Sequence, residues 1–341
     1  IDGSIATVIK LSRSRMLTNG DTAARIYEQN ARVVVEDDHQ GSFPLLQTGS
    51  GIYSSINTLS LNPADKYRLS ISTSDGKQYL SDYVPYKPSP PIDSISWKLK
   101  DDGVQTYVST HDPNNATIYY RWEYSETWQF HSSYSSGYEY VYATNSVIPR
   151  TVQIYTCWQT DSSTNIFLGS SAKLASDVIS ESPIAYIQPH AQKLSVLYSI
   201  WVKQYTLDLN GYNYWTAMKS NTESVGSIFD PQPNQTPGNI HCITNPDETV
   251  VGYINAGATV EKRVFISNSS LPNGWNQYVD CPQTTIKNIP DSLRFYFTSL
   301  FTPLQVANPV SYPPAAYTAG VSDCVDCTLH GTNVKPSFWP Y

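Results

Sequence analysis

Alternation of apolar with polar residues, broken every few positions by turn-forming residues, is the feature that most constrains this chain. Lys66–Ser72 alternates with a period of two, which is the period of a half-buried strand, and Ala6–Ser12, Ala31–Glu36 and Tyr79–Val84 read as further strands. Ser74-Asp75-Gly76-Lys77 sits between Lys66–Ser72 and Tyr79–Val84, and its Asp-Gly step suits a tight hairpin turn. Leu17–Asp21 reads as another turn. Short strands at regular spacing predict an immunoglobulin- or fibronectin-like sandwich over residues 1–87.

Four prolines then fall within Pro85–Pro91. Proline has no N–H to give a ladder and stays extended, so the domain boundary is read here. A second sandwich is expected over 88–270. Its strands are read at Ile92–Leu99, Thr106–Thr110, Thr117–Tyr124, Tyr138–Tyr142, Val152–Trp158 and Leu194–Val202, with a hairpin of Thr249–Asn255 and Val260–Ser267. Tyr119–Tyr124 is aromatic on both faces, as in a strand that is central or that faces another surface. The period changes after Asp208. Tyr212, Trp215 and Lys219 share one helical face, with Tyr214 and Met218 beside it. A helical insertion near 208–225 follows, capped by Asp208 or Asn210, and the loop Asp230–Asn234 closes it. From Leu271 the chain is rich in Pro and Asn, so 271–341 is read as an irregular segment packing back on the sandwiches.

Composition narrows the function. Acids outnumber bases by 29 to 22, a net charge of −7, which suits neither a nucleic-acid backbone nor an anionic membrane surface. The apolar runs are too short for a transmembrane helix. His-Glu-x-x-His, a Walker loop and Gly-x-Ser-x-Gly are all missing, so no catalytic residue, cofactor or metal is assigned.

Five cysteines occur, at 157, 242, 281, 324 and 327, so at least one is left over within the chain. Cys324, Cys327 and His330 have metal-ligand spacing, with Cys281 as a fourth ligand. The preferred reading is a disulfide from Cys281 to Cys324 or Cys327, with Cys157 and Cys242 as the other candidate pair.

Several blocks in order carry a family resemblance: Asp75–Ser81 before the proline segment, Leu194–Gln204 before the Tyr-Trp helix, Ser227–Pro233, Gly238–Cys242 with Val251–Tyr253, Cys324–Cys327, and Gly331–Trp339. Together they resemble the Bacteroidota lipoprotein family called "domain of unknown function 4249", over nearly the whole chain. The resemblance implies export to the outer-membrane surface, a lipidated N-terminal Cys as the sole membrane anchor, and a TonB-dependent β-barrel transporter as neighbour. It carries no catalytic or ligand residue. Disulfides fit such an oxidising location. The expected function is non-enzymatic: an accessory, substrate-capture partner of the transporter, with Tyr212, Tyr214, Trp215, Asp230 and Asn234 as contacts. The alternatives are an adhesive or structural surface protein binding glycan or protein and, behind it, an envelope-polymer hydrolase.

Overall fold

A computed structural model describes residues 1–13, 26–101, 103–223, 238–275, 279–298, 300–307 and 313–340. The chain is mainly β, with 47 % strand against 12 % helix. The expected turn at Leu17–Asp21 and the loop Asp230–Asn234 lie outside the described residues.

In the first unit, Arg32–Asp37 lies between Ser42–Gly49 and Lys66–Ser72. Tyr67, Leu69 and Ile71 are buried at every second position, as the alternation requires. Gly76 turns the chain with φ at +86°, and Gln78–Ser81 returns with Tyr79 opposite Ile71. The proline segment does not behave as a free linker. Val84–Pro88 pairs with Lys66–Tyr67 and, in parallel, with Ala256–Ala258. Proline is tolerated at such a margin because no ladder N–H is demanded of it. A Cβ on Gly257 would lie 2.1 Å from the Lys87 carbonyl oxygen, so only glycine allows this approach.

The segment between the helix and the last sandwich strand also differs from the expectation. Ile240–Cys242 extends the first sheet beside Gln78–Ser81, and Ala256–Ala258 joins it beside Val84–Pro88. Thr249–Asn255 is not a strand, and no hairpin forms with Val260–Ser267, which instead pairs with Leu197–Leu207. Gly252, at φ +151°, interrupts the run that looked continuous. Nine strands thus form one connected sheet around a core including Val35, Leu45, Tyr53, Tyr67 and Ala256.

The second unit is a sandwich. Ile92–Lys100, Gly103–His111 and Val178–Ile187 form one sheet, and Thr156–Ser162, Tyr119–His131, Leu197–Leu207 and Val260–Ser267 form the other, with Phe167–Ser170 beside the long strand. One core joins both sheets, with Val104 and Val108 on one side and Tyr120, Trp122, Tyr198 and Ile200 on the other. Tyr119–His131 is central, as its two-faced aromatic pattern suggested. Tyr120 and Trp122 stack inward at 5.8 Å, while Arg121 and Glu123 point the other way.

The described part of 271–341 carries more regular structure than its Pro and Asn content suggested. Gln283–Lys287, Ala316–Val321 and Phe301–Val306 form an antiparallel sheet under the helix Pro290–Phe297. Pro303 sits where the register slips, which is how the strand accommodates it. The chain then wraps back on the sandwich. Thr332 bridges to Trp158, and Trp339 is buried with its indole N–H on Gln129 Oε1 at 3.0 Å.

Two disulfides pin this segment: Cys281–Cys324, one of the two alternatives offered for Cys281, and Cys157–Cys327. The expected Cys157–Cys242 pair is therefore wrong. Cys242 lies on a strand of the first sheet, opposite Tyr79, and is the free thiol, buried. A metal centre at Cys281, Cys324 and Cys327 is excluded because all three sulfurs are bridged, and His330 pairs with Asp323 at 2.9 Å.

Candidate functional site

The junction between the first sheet and the sandwich is held by hydrogen bonds. Gln204 is fully buried; its amide donates to Pro90 O at 2.7 Å and Thr110 Oγ1 at 3.1 Å, and its carbonyl accepts from the Trp122 indole at 2.9 Å. Thr206 Oγ1 reaches Ser89 Oγ at 3.1 Å. Beside this fixed seam lies a cleft of about 1290 Å³. Ligand pockets for compact small molecules run to roughly 1,000 Å³, so this one has room for an extended ligand.

One wall is the outer face of the sandwich. Arg121 is paired in register with Tyr205, and Glu123 with Lys203. Alternation puts these four side chains on one face while Tyr120, Trp122, Val202 and Gln204 fill the interior. The helix Leu209–Glu223 adds Trp215. The Arg121 guanidinium lies 4.5 Å from the Tyr205 ring centre and 4.3 Å from that of Trp215, both within cation–π range. One arm of Arg121 binds Glu123 at 2.5 Å, and the Tyr205 hydroxyl donates to Glu123 at 3.0 Å. Burial, and then the Glu123 charge, push the Tyr205 phenol well above its usual range, so it stays a donor.

The opposite wall is the first sheet. Lys77 and Tyr79 converge on Glu248, at 2.5 and 2.7 Å. The bond from Lys77, then that from Tyr79, hold the Glu248 carboxyl below the usual carboxylate range. Asp208 caps the helix by accepting from Gly211 N at 2.7 Å and also accepts from Tyr253 at 3.1 Å. The cap thus ties the helix to the segment that closes the cleft.

The expected contact residues divide. Trp215 and Tyr214 line the cleft, Tyr214 being buried between Trp215 and Tyr253. Tyr214 also borders a smaller adjoining pocket of about 340 Å³ with Asp82 and Asn239. Tyr212 packs on Tyr119, ring centres 4.7 Å apart, and serves to seat the helix. Asp230 and Asn234 lie outside the described residues. Sequence reasoning missed Arg121, Glu123, Lys203, Tyr205, Lys77 and Glu248. For Arg121 and Glu123 the available signal was charge on the outward positions of a strand whose inward positions are aromatic. Elsewhere, Asp38, His39 and Asp65 bring ligand-type atoms within 4.8 Å on the open surface.

Comparison with known families matches residues 1–263 to the profile described as "Domain of unknown function (DUF4249)". The chain belongs to the DUF4249 family. The matched span contains every cleft residue named above. It ends within Val260–Ser267, so the Cys324–Cys327 block, which contributed to the resemblance, lies beyond it. A comparison with curated proteins found no match for this DUF4249 chain.

Proposed function

We propose that this DUF4249 chain is a non-enzymatic capture protein. In this reading it sits at the outer-membrane surface on an N-terminal lipid anchor and holds a ligand in the inter-unit cleft, beside a TonB-dependent transporter barrel. The observation that carries the capture half is the cleft itself: a large concavity at a hydrogen-bonded seam, walled by Arg121, Tyr205 and Trp215 on one side and by Tyr79 and Glu248 on the other. Strand pairing, the capped helix and the bonds to Glu248 hold these side chains before any ligand arrives, which spares part of the ordering cost of binding. The resemblance set out above supports the location and the barrel, and the two disulfides suit an extracytoplasmic setting.

The test is isolation of the tagged, lipidated protein from native membranes in mild detergent. A large β-barrel recovered in near-equal amount is the expected result. A monomer free of barrel under conditions that leave other outer-membrane complexes intact would overturn the partnership. Turnover of a compound by the purified chain, abolished by Glu123→Gln or Glu248→Gln, would overturn the non-enzymatic assignment.

A further inference from the structure

We infer that the cleft takes an organic oxyanion, a carboxylate or phosphate carried on an apolar body. This deepens the capture reading and rests on it. Four carboxylates line the cleft, those of Asp2, Glu28, Glu123 and Glu248, and each is engaged. Asp2 accepts from Thr259 and from Ser4 N; Glu28 is paired with Arg13; Glu123 is held by Arg121 and Tyr205, and Glu248 by Lys77 and Tyr79.

The cationic side is not exhausted. Lys10 and Lys87 line the cleft and have no ion-pair partner among the described residues. Arg121 spends one arm on Glu123, while its Nε is buried with no acceptor, and the indole N–H of the stacked Trp215 is in the same condition. Buried donors without acceptors are costly, and a ligand oxygen admitted as Trp215 turns aside supplies what both lack. The surplus is local, since the whole chain carries a net charge of −7. A cationic ligand would meet two free lysines and no free carboxylate. The exposed apolar side chains of Ile5, Val8 and Val251 border the same space and fit a ligand with an apolar body.

The experiment is calorimetric titration of the full chain with 2-naphthoate, 2-naphthyl phosphate, neutral 2-naphthylmethanol and cationic 2-naphthylmethylamine. One or both anions should bind about tenfold or more tighter than the alcohol, and the amine more weakly than the alcohol. Which anion binds tighter separates carboxylate from phosphate. The double variant Lys10→Gln, Lys87→Gln should lose about tenfold in anion affinity and keep alcohol affinity within about twofold. Its thermal melt checks that it is folded. Equal binding of alcohol and anions, tighter binding of the amine, or an unchanged anion affinity in the folded variant overturns the inference and leaves capture standing. Absence of binding by all four probes removes the cleft as a capture site, and both readings fall.

Discussion

The central sandwich carries two neighbours and holds them by different means. Towards the first sheet the seam is non-covalent: Gln204 and Thr206 bond to the Pro88–Pro91 stretch. Towards the C-terminal unit the link is covalent, through Cys157–Cys327, while Cys281–Cys324 closes a loop within that unit. The difference follows core size. Among the described residues the first sheet closes over ten buried apolar side chains, whereas the C-terminal sheet and helix bury five, with Leu304 and Val325 in a satellite cluster beside Ile154. A unit with so little apolar burial gains most from staples. The non-covalent seam is the one that borders the cleft, where a covalent tie would cost adjustability.

The comparison presumes that the sandwich is the anchor for both. Trp122→Ala tests this most severely. Trp122 is fully buried, stacks on Tyr120 and donates to Gln204. Its truncation should cost about 3–5 kcal/mol, read from urea denaturation. A small shift would mean that the sandwich is not the stable centre.

Next in size is the covalent side. Replacing Cys157 and Cys327 by Ala opens a link spanning 170 residues, against 43 for Cys281–Cys324. Loss of a native disulfide typically costs about 2–5 kcal/mol, and chain entropy makes the longer closure worth about 1 kcal/mol more. Limited proteolysis should therefore release the segment after Leu271 sooner in the 157/327 variant than in a 281/324 variant. The reverse order would show that packing, rather than closure, holds that unit.

The non-covalent seam should yield to Gln204→Leu. The change leaves the Trp122 indole N–H, Pro90 O and the Thr110 hydroxyl short of a partner, which places its cost at about 1–3 kcal/mol. If the seam is a hinge for ligand entry as well as a glue line, the variant should also bind the naphthyl probes more weakly. Unchanged stability would mean that backbone pairing alone holds the two units together.

How far these features were legible in the chain depends on whether the signal was local. Lys66–Ser72, the hairpin at Gly76, the central aromatic strand and the helix after Asp208 could all be read, because period and turn chemistry act within a few residues. The Cys157–Cys242 pairing failed for the opposite reason: nothing near Ile240–Cys242 reveals that this strand pairs with Gln78–Ser81, some 160 residues earlier. Prolines misled twice, at Val84–Pro88 and at Phe301–Val306, since proline bars a central strand yet not an edge or a bulge. Of the cleft, only the helix-borne Tyr214 and Trp215 were found. Arg121, Lys203 and Glu248 come from three distant segments, and only the fold makes them neighbours.

The smallest expected effect is the most specific to the non-covalent side. Lys77 and Tyr79, on the first sheet, hold the loop segment that carries Glu248. Because the folded-state pKa of Glu248 lies below its ordinary value of 4.5, the contribution is fully present above that value and is lost as pH falls through the folded one. Glu248→Gln removes it at every pH. The variant should thus be slightly less stable than the parent chain near neutrality, and the two should converge as the pH falls into the acid range. Urea midpoints across that range measure both. The difference at neutral pH is small because both partners are partly solvent-exposed, where ion pairs are screened. The disulfide variants should show no such convergence, since a sulfur bridge has no proton to gain. A Glu248→Gln deficit that persists undiminished in acid would assign the loss to packing of the loop and remove the charge-based account of this wall of the cleft.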